Sequence, residues 1–183
     1  IIFDINGDIE QVAQEEYPLI FPNDGWVEID PEDLYKSVTN TLNQLDLANV
    51  EFGGITNQRE TTIIWDKNTL KPVYNAIVWQ DRRTSAYCNE IATKTNQSLV
   101  KQKTGLLIDS YFSATKIKWI LDNVNGVRNR AEAGELCFGT VDTYLMYRLS
   151  EGKIFKTDIT NASRTMLFNI NSLSWDKDLL KLF

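Results

Sequence analysis

The chain has 183 residues, 43% hydrophobic content and a formal charge of −6, enough apolar material for one compact core. Its lysines and arginines are scattered among acids, so no basic stripe offers contacts to nucleic-acid phosphates. Cys88 and Cys137 stand far apart and there is no histidine, which excludes a zinc site or a Cys/His catalytic pair. Both read as reduced thiols of a cytoplasmic protein. No run approaches the roughly 20 apolar residues of a membrane span, and no secretory signal opens the chain. The Asn-x-Ser matches at Asn96 and Asn161 are then accidental.

The opening Ile1 to Ile5 reads as a strand already under way, with a tight turn at Asn6-Gly7. Asp8 to Glu15 is expected to pair back on it, and Pro18 to Trp26 forms an irregular loop. A helix follows, because Asp30 suits the N-cap, Pro31 the first turn, and Leu34, Val38, Leu42 and Leu45 recur at helical spacing. Three strands of one sheet are expected at Val50 to Thr56, Thr61 to Trp65 and Val73 to Val78, with that helix packed on it. Helices are expected over Arg82 to Lys94, Gln97 to Lys103, Ser113 to Asn123 and Arg128 to Glu132. Leu136 to Phe138 reads as a strand, and Val141, Tyr144, Leu145 and Leu149 form one stripe of a further helix. Asp176 to Phe183 reads as a helix that has only begun, so both ends look cut. The alternation specifies a mixed α/β domain.

Three segments carry chemistry. In Asn57-Gln58-Arg59-Glu60-Thr61-Thr62, an arginine that only donates and a carboxylate that only accepts suit a neutral, hydroxylated ligand. Such a pair serves one ligand from a loop or strand end rather than from within a strand. The alternative is a solvated ion pair at a turn. In Trp79-Gln80-Asp81-Arg82-Arg83-Thr84 the indole suits the C–H side of a carbohydrate, or else a place in the core. Tyr111 to Trp119 contains Ser113-x-x-Lys116, with Lys103-Thr104-Gly105 before it. Serine acylases place Lys-Thr-Gly after the nucleophile, with Ser-Asp-Asn between, so acyl transfer is a distant alternative and Ser113 is not expected to be a nucleophile. Neither a P-loop nor Gly-x-Gly-x-x-Gly is present.

GITNQRETT (Gly54 to Thr62), AIVWQDRRT (Ala76 to Thr84), DSYFSATKIKWILDN (Asp109 to Asn123) and TDITNASRTMLFNI (Thr157 to Ile170) occur in this order. Together they resemble the FGGY family of carbohydrate kinases, and NQRETT with WQDRRT resembles its glycerol kinase branch. FDINGDI, NDGWVEIDPEDL and GTVDTYLMYRL also fit, so the resemblance spans the visible chain.

The resemblance implies an α/β, ribonuclease-H-like domain of the actin/hexokinase type, with a mixed sheet flanked by helices and incomplete at both ends. Residues 1–183 would be a partial N-terminal domain, lacking the first strand and the C-terminal nucleotide domain. It implies ATP-dependent phosphorylation of glycerol to glycerol 3-phosphate by the parent enzyme, with Mg²⁺, and inactivity of this portion alone. By motif, Arg59 and Glu60 would bind glycerol hydroxyls, Trp79 would pack on its carbons and Tyr111 would add a polar contact. Arg82, Arg83 and Lys116 are assigned to packing or ion pairing. No catalytic residue or metal ligand is expected within the chain, since the base aspartate would lie beyond Phe183. Homo-oligomer formation stays open. So do a family kinase acting on another polyol or sugar, and a purely binding or scaffold role.

Overall fold

The computed structural model describes residues 1–183. β1 (Ile2–Phe3) and β2 (Ile9–Gln11) form an antiparallel hairpin, whose turn is held by Asp4 accepting from the Asn6 and Asp8 amides at 2.9 and 2.8 Å. Gly7 supplies the positive φ (88°) that this turn needs.

β3 (Glu28–Ile29) leads into α1 (Pro31–Leu42). Asp30 caps that helix by accepting from the Glu32 amide at 2.8 Å, and Pro31 occupies the first position, where its missing N–H costs nothing. β4 (Ile63–Asp66) and β5 (Ala76–Ile77) follow. Next come α2 (Ser85–Ile91), α3 (Lys94–Thr104), α4 (Ser113–Asn123) and α5 (Val127–Glu132). β6 (Leu136–Gly139), α6 (Val141–Leu149), α7 (Ile159–Ala162), a hairpin of β7 (Phe168–Asn169) and β8 (Ser174–Trp175), and α8 (Lys177–Leu182) complete the chain.

The central strands are built from antiparallel pairs: β3 with β5 and β4 with β6. A bridge between Thr62 and Ile77 joins the two pairs. Alternation along β4 divides the interior. Ile63 and Trp65 face a core shared with Ile29, Leu34, Val78 and Tyr144, under α1 and α6. Ile64 faces the other way, to Ile77, Ile120 and Val127, under α4 and α5. A third cluster, including Val100, Phe112, Met166 and Leu179, lies among α3, α4 and α8.

One expected strand does not form. Val50 to Thr56 has no strand assignment, and no backbone–backbone hydrogen bond involves Glu51 to Gln58. A strand exists only beside a partner, and here no other segment pairs with these residues; Gly53-Gly54 also add no side chain to pack. Phe52 is consequently 88% exposed. The other expected elements are present, Ser113 to Asn123 with its expected bounds and others with shifted ends: the helix expected from Arg82 begins at Ser85, and β5 is shorter than Val73 to Val78.

Close packing makes one glycine necessary. A Cβ on Gly139 would lie 2.7 Å from Thr143 Cβ and 2.8 Å from Trp65 Cη2, and Trp65 is fully buried. Gly139→Ala is therefore expected to destabilise by about 1–3 kcal/mol through overpacking, read as a lower denaturant midpoint. An unchanged midpoint would mean that β6 can move off the indole at no cost.

Candidate functional site

Glu60 lies where the unpaired segment turns into β4. Its residue exposure is 5%, and one carboxylate oxygen accepts from Arg164 Nε at 2.6 Å. Arg164 follows α7, so a bond spanning 104 positions holds the carboxylate. The same guanidinium sits 5.8 Å from the Tyr111 ring and 5.0 Å from that of Phe112. Tyr111 in turn packs on Trp79, with ring centroids 5.6 Å apart and planes tilted by 57°. Trp79 follows β5 and Tyr111 precedes α4. A carboxylate, a guanidinium, a phenol and an indole thus form one contiguous chain of contacts.

Arg59 is placed differently from its neighbour. It is exposed, and its Nη1 is 3.4 Å from the Thr160 carbonyl, so it leans toward α7 at the rim. Asn57 joins it there, donating to Asn161 Oδ1 at 3.0 Å. Asp158 caps α7 through the Asn161 amide at 2.7 Å, which orders the helix that faces these two side chains.

Three residues assigned by sequence to packing or ion pairing behave in three ways. Arg82 pairs with Asp109 at 3.1 Å on the surface. Arg83 is buried between Glu28 and Asp81, at 2.7 and 2.8 Å. Lys116 pairs with no carboxylate: its Nζ donates to the backbone carbonyls of Glu60, at 3.1 Å, and Tyr111, at 2.5 Å. Burial pushes its pKa down to about 7, against the pull of Asp81 and Glu60. Ser113 is fully buried and its Oγ has no hydrogen-bond partner. Without a base in reach it lacks what a serine nucleophile needs.

The residue that sequence reasoning missed is Arg164. It lies inside the Thr157 to Ile170 motif and is the only basic residue there, which is the signal that would have found it. A separate cavity of about 560 Å³, lined by Cys137, Thr140, Phe155 and Leu167 among others, includes none of Arg59, Glu60, Trp79 or Tyr111. No three His, Cys, Asp or Glu side chains converge closely enough to hold a metal ion.

Comparison with known proteins agrees across the whole length. The description "FGGY family of carbohydrate kinases, N-terminal domain" matches residues 1–183. A glycerol kinase of Borrelia hermsii is 54% identical over 189 residues, covering 100% of this chain and 38% of that protein. A glycerol kinase of Parabacteroides distasonis is 55% identical with the same coverage. Among solved structures, Plasmodium falciparum glycerol kinase with ADP superposes with a TM-score of 0.92 at 36% identity, over 99% of this chain and 37% of that one. A xylulose kinase of Lactobacillus acidophilus, at 22% identity and a TM-score of 0.80, shares the fold. The chain spans about 38% of the length of the curated relatives it matches. It belongs to the FGGY family of carbohydrate kinases, whose actin/hexokinase-like N-terminal domain is matched along residues 1–183 of this chain.

Proposed function

We propose that these residues form the polyol-binding part of an ATP-dependent kinase that phosphorylates glycerol to glycerol 3-phosphate. The observation that carries this reading is the contiguous set Glu60, Arg164, Tyr111 and Trp79. Every hydroxyl of a polyol can donate and accept, so a carboxylate and a phenol can share its hydroxyls while an indole face covers its carbons. Arg59, at the rim beside them, would add a charged donor. The likeness to glycerol kinases at 54–55% identity supports glycerol over other polyols.

In this reading residues 1–183 are part of the N-terminal domain, and the base, the adenine site and most phosphate contacts lie outside them. Phosphoryl transfer rests on positioning and charge stabilisation of nucleophile and γ-phosphate together. ATP would supply the phosphoryl group and Mg²⁺ would neutralise its developing charge. The residues described here fit no metal site, so their part is to bind and orient the attacking alcohol. By itself this portion would bind polyol weakly and turn nothing over. Free, buried Cys88 and Cys137, and the absence of any helix long and apolar enough to cross a membrane, are consistent with a place in the cytoplasm.

The test is ADP release by the full-length polypeptide against glycerol and a panel of polyols and sugars. Glycerol is expected to give the highest kcat/KM, and a higher value for another compound would reassign the substrate. Glu60→Ala should weaken glycerol binding by roughly 1–3 kcal/mol, about 5- to 150-fold in affinity, because a substrate hydroxyl and Arg164 both lose their acceptor. Unchanged affinity and turnover in Glu60→Ala would remove Glu60 from the site. Calorimetry of glycerol against residues 1–183 separates a binding module from an inert scaffold.

A further inference from the structure

We propose that Lys116 is the positioning residue of the polyol site, its buried amino group setting the spacing between Glu60 and Tyr111 by tying together their backbone carbonyls. The inference rests on the polyol-binding reading. Lys116 ends the first turn of α4 and is 0% exposed. Its Nζ donates to both Glu60 O and Tyr111 O, which the two N–H groups of the neutral amine suffice to do. These carbonyls belong to the two residues whose side chains supply the carboxylate and the phenol.

Packing alone gives no reason for an amine there. A buried ammonium held only by neutral carbonyls is poorly compensated, and a methionine of similar length would fill the same space without that cost. An ionisable group perturbed by burial beside a cleft is a candidate for a functional role.

The segment before Glu60 explains what the tie does. Because Glu51 to Gln58 take part in no backbone–backbone hydrogen bond, no sheet ladder sets the position of Glu60 from that side. Its carbonyl is held by Thr62 Oγ1, at 3.2 Å from the strand side, and by Lys116 from the helix. Only the second of these also grips Tyr111. Arg164 acts on the side chains, through Glu60 Oε1 and the Tyr111 ring, so the carboxylate and phenol are spaced by one backbone tie and one side-chain tie.

The experiment compares Lys116→Met, Lys116→Arg and wild type as full-length polypeptides. In Lys116→Met the KM for glycerol is expected to rise about tenfold or more, since a small displacement of a positioned group is costly. The KM for ATP should stay within about twofold, because uniform loss of structure would move both substrates together. Lys116→Arg, which can still donate to both carbonyls, should recover part of the glycerol effect. Combined with Glu60→Gln, Lys116→Met should add little further loss, because both act on one carboxylate. Equal glycerol KM in wild type and Lys116→Met, or full additivity with Glu60→Gln, overturns the inference.

Should the variants fail to fold, wild type still decides. Lys116, 0% exposed, meets formaldehyde and borohydride only when the site opens, so over prolonged labelling read by peptide mass glycerol is expected to slow its reductive methylation while exposed Lys36 reacts at its usual rate; equal Lys116 labelling with and without glycerol overturns the inference. Wild type that releases no ADP with glycerol defeats the underlying reading instead, so the two failures are distinct.

Discussion

Arg83→Ala is expected to cost roughly 3–5 kcal/mol of folding stability, because it leaves two buried carboxylates facing each other with no cation between them. The Arg83 side chain is 0% exposed, and Glu28 and Asp81 are 2% and 1%. Its guanidinium carbon lies 3.9 Å from the Trp26 ring centroid and 4.5 Å from that of Trp119. Tyr74 and Asn75 also hold Glu28, donating to its carboxylate at 2.7 and 2.8 Å. Asp81 also accepts from the Val27 amide at 2.6 Å. The network therefore fastens the loop before β3, the end of β5 and α4 to one another.

Arg83→Lys should recover little, since a compact ammonium cannot fork between two carboxylates while lying against two indoles. Replacing the three charges together, as Arg83→Met with Glu28→Gln and Asp81→Asn, should recover much of the loss, because the uncompensated charges go with the cation. Urea midpoints with unchanged m-values would read these differences. A loss below about 1 kcal/mol in Arg83→Ala would show that water reaches the site and that the network is not an anchor. Trp79 lies two positions from Asp81, so glycerol affinity should fall alongside stability.

Lys116 produces the second large effect, and it depends on pH. Burial holds its pKa near 7 against an ordinary 10.5. Below about 7 the lysine is charged in both folded and unfolded chains, and the full burial penalty applies. Between about 7 and 10.5 the folded protein carries the neutral amine while the unfolded chain still binds the proton. Stability contributed by this group therefore rises with pH across that window. The ceiling is about 1.4 kcal/mol per pH unit.

Other groups act in the opposite sense at the alkaline end. Burial raises the Cys88 and Cys137 thiols above 9.0 and raises the phenols of Tyr17, Tyr74, Tyr87, Tyr144 and Tyr147 above 10.0. Each of these loses stability as pH climbs through its unfolded value. Subtracting Lys116→Met from wild type removes their shared contribution. Between pH 7 and 9 wild type is expected to gain on Lys116→Met by about 2–3 kcal/mol. A difference that is flat across this range would show that the folded lysine keeps its proton throughout.

The parts of this protein legible in its sequence are those set by near neighbours. The Asp30-Pro31 cap and leucine spacing specify α1, because a helix satisfies its backbone within four residues. Ser113 to Asn123 is a helix with the expected bounds for the same reason. The chemical character of Arg59, Glu60, Trp79 and Tyr111 was legible from residue type and motif. Their arrangement was decided by the tertiary structure alone. Arg164 reaches Glu60 across 104 positions, Lys116 reaches the Glu60 carbonyl across 56, and Arg83 reaches Glu28 across 55. None of these partners follows from spacing, since side chains so far apart meet only once the sheet and helices have packed. Val50 to Thr56 makes the same point in reverse. Its composition reads as a strand, yet a strand needs a neighbour for its amides and carbonyls, and whether one is present is a property of the fold rather than of the segment.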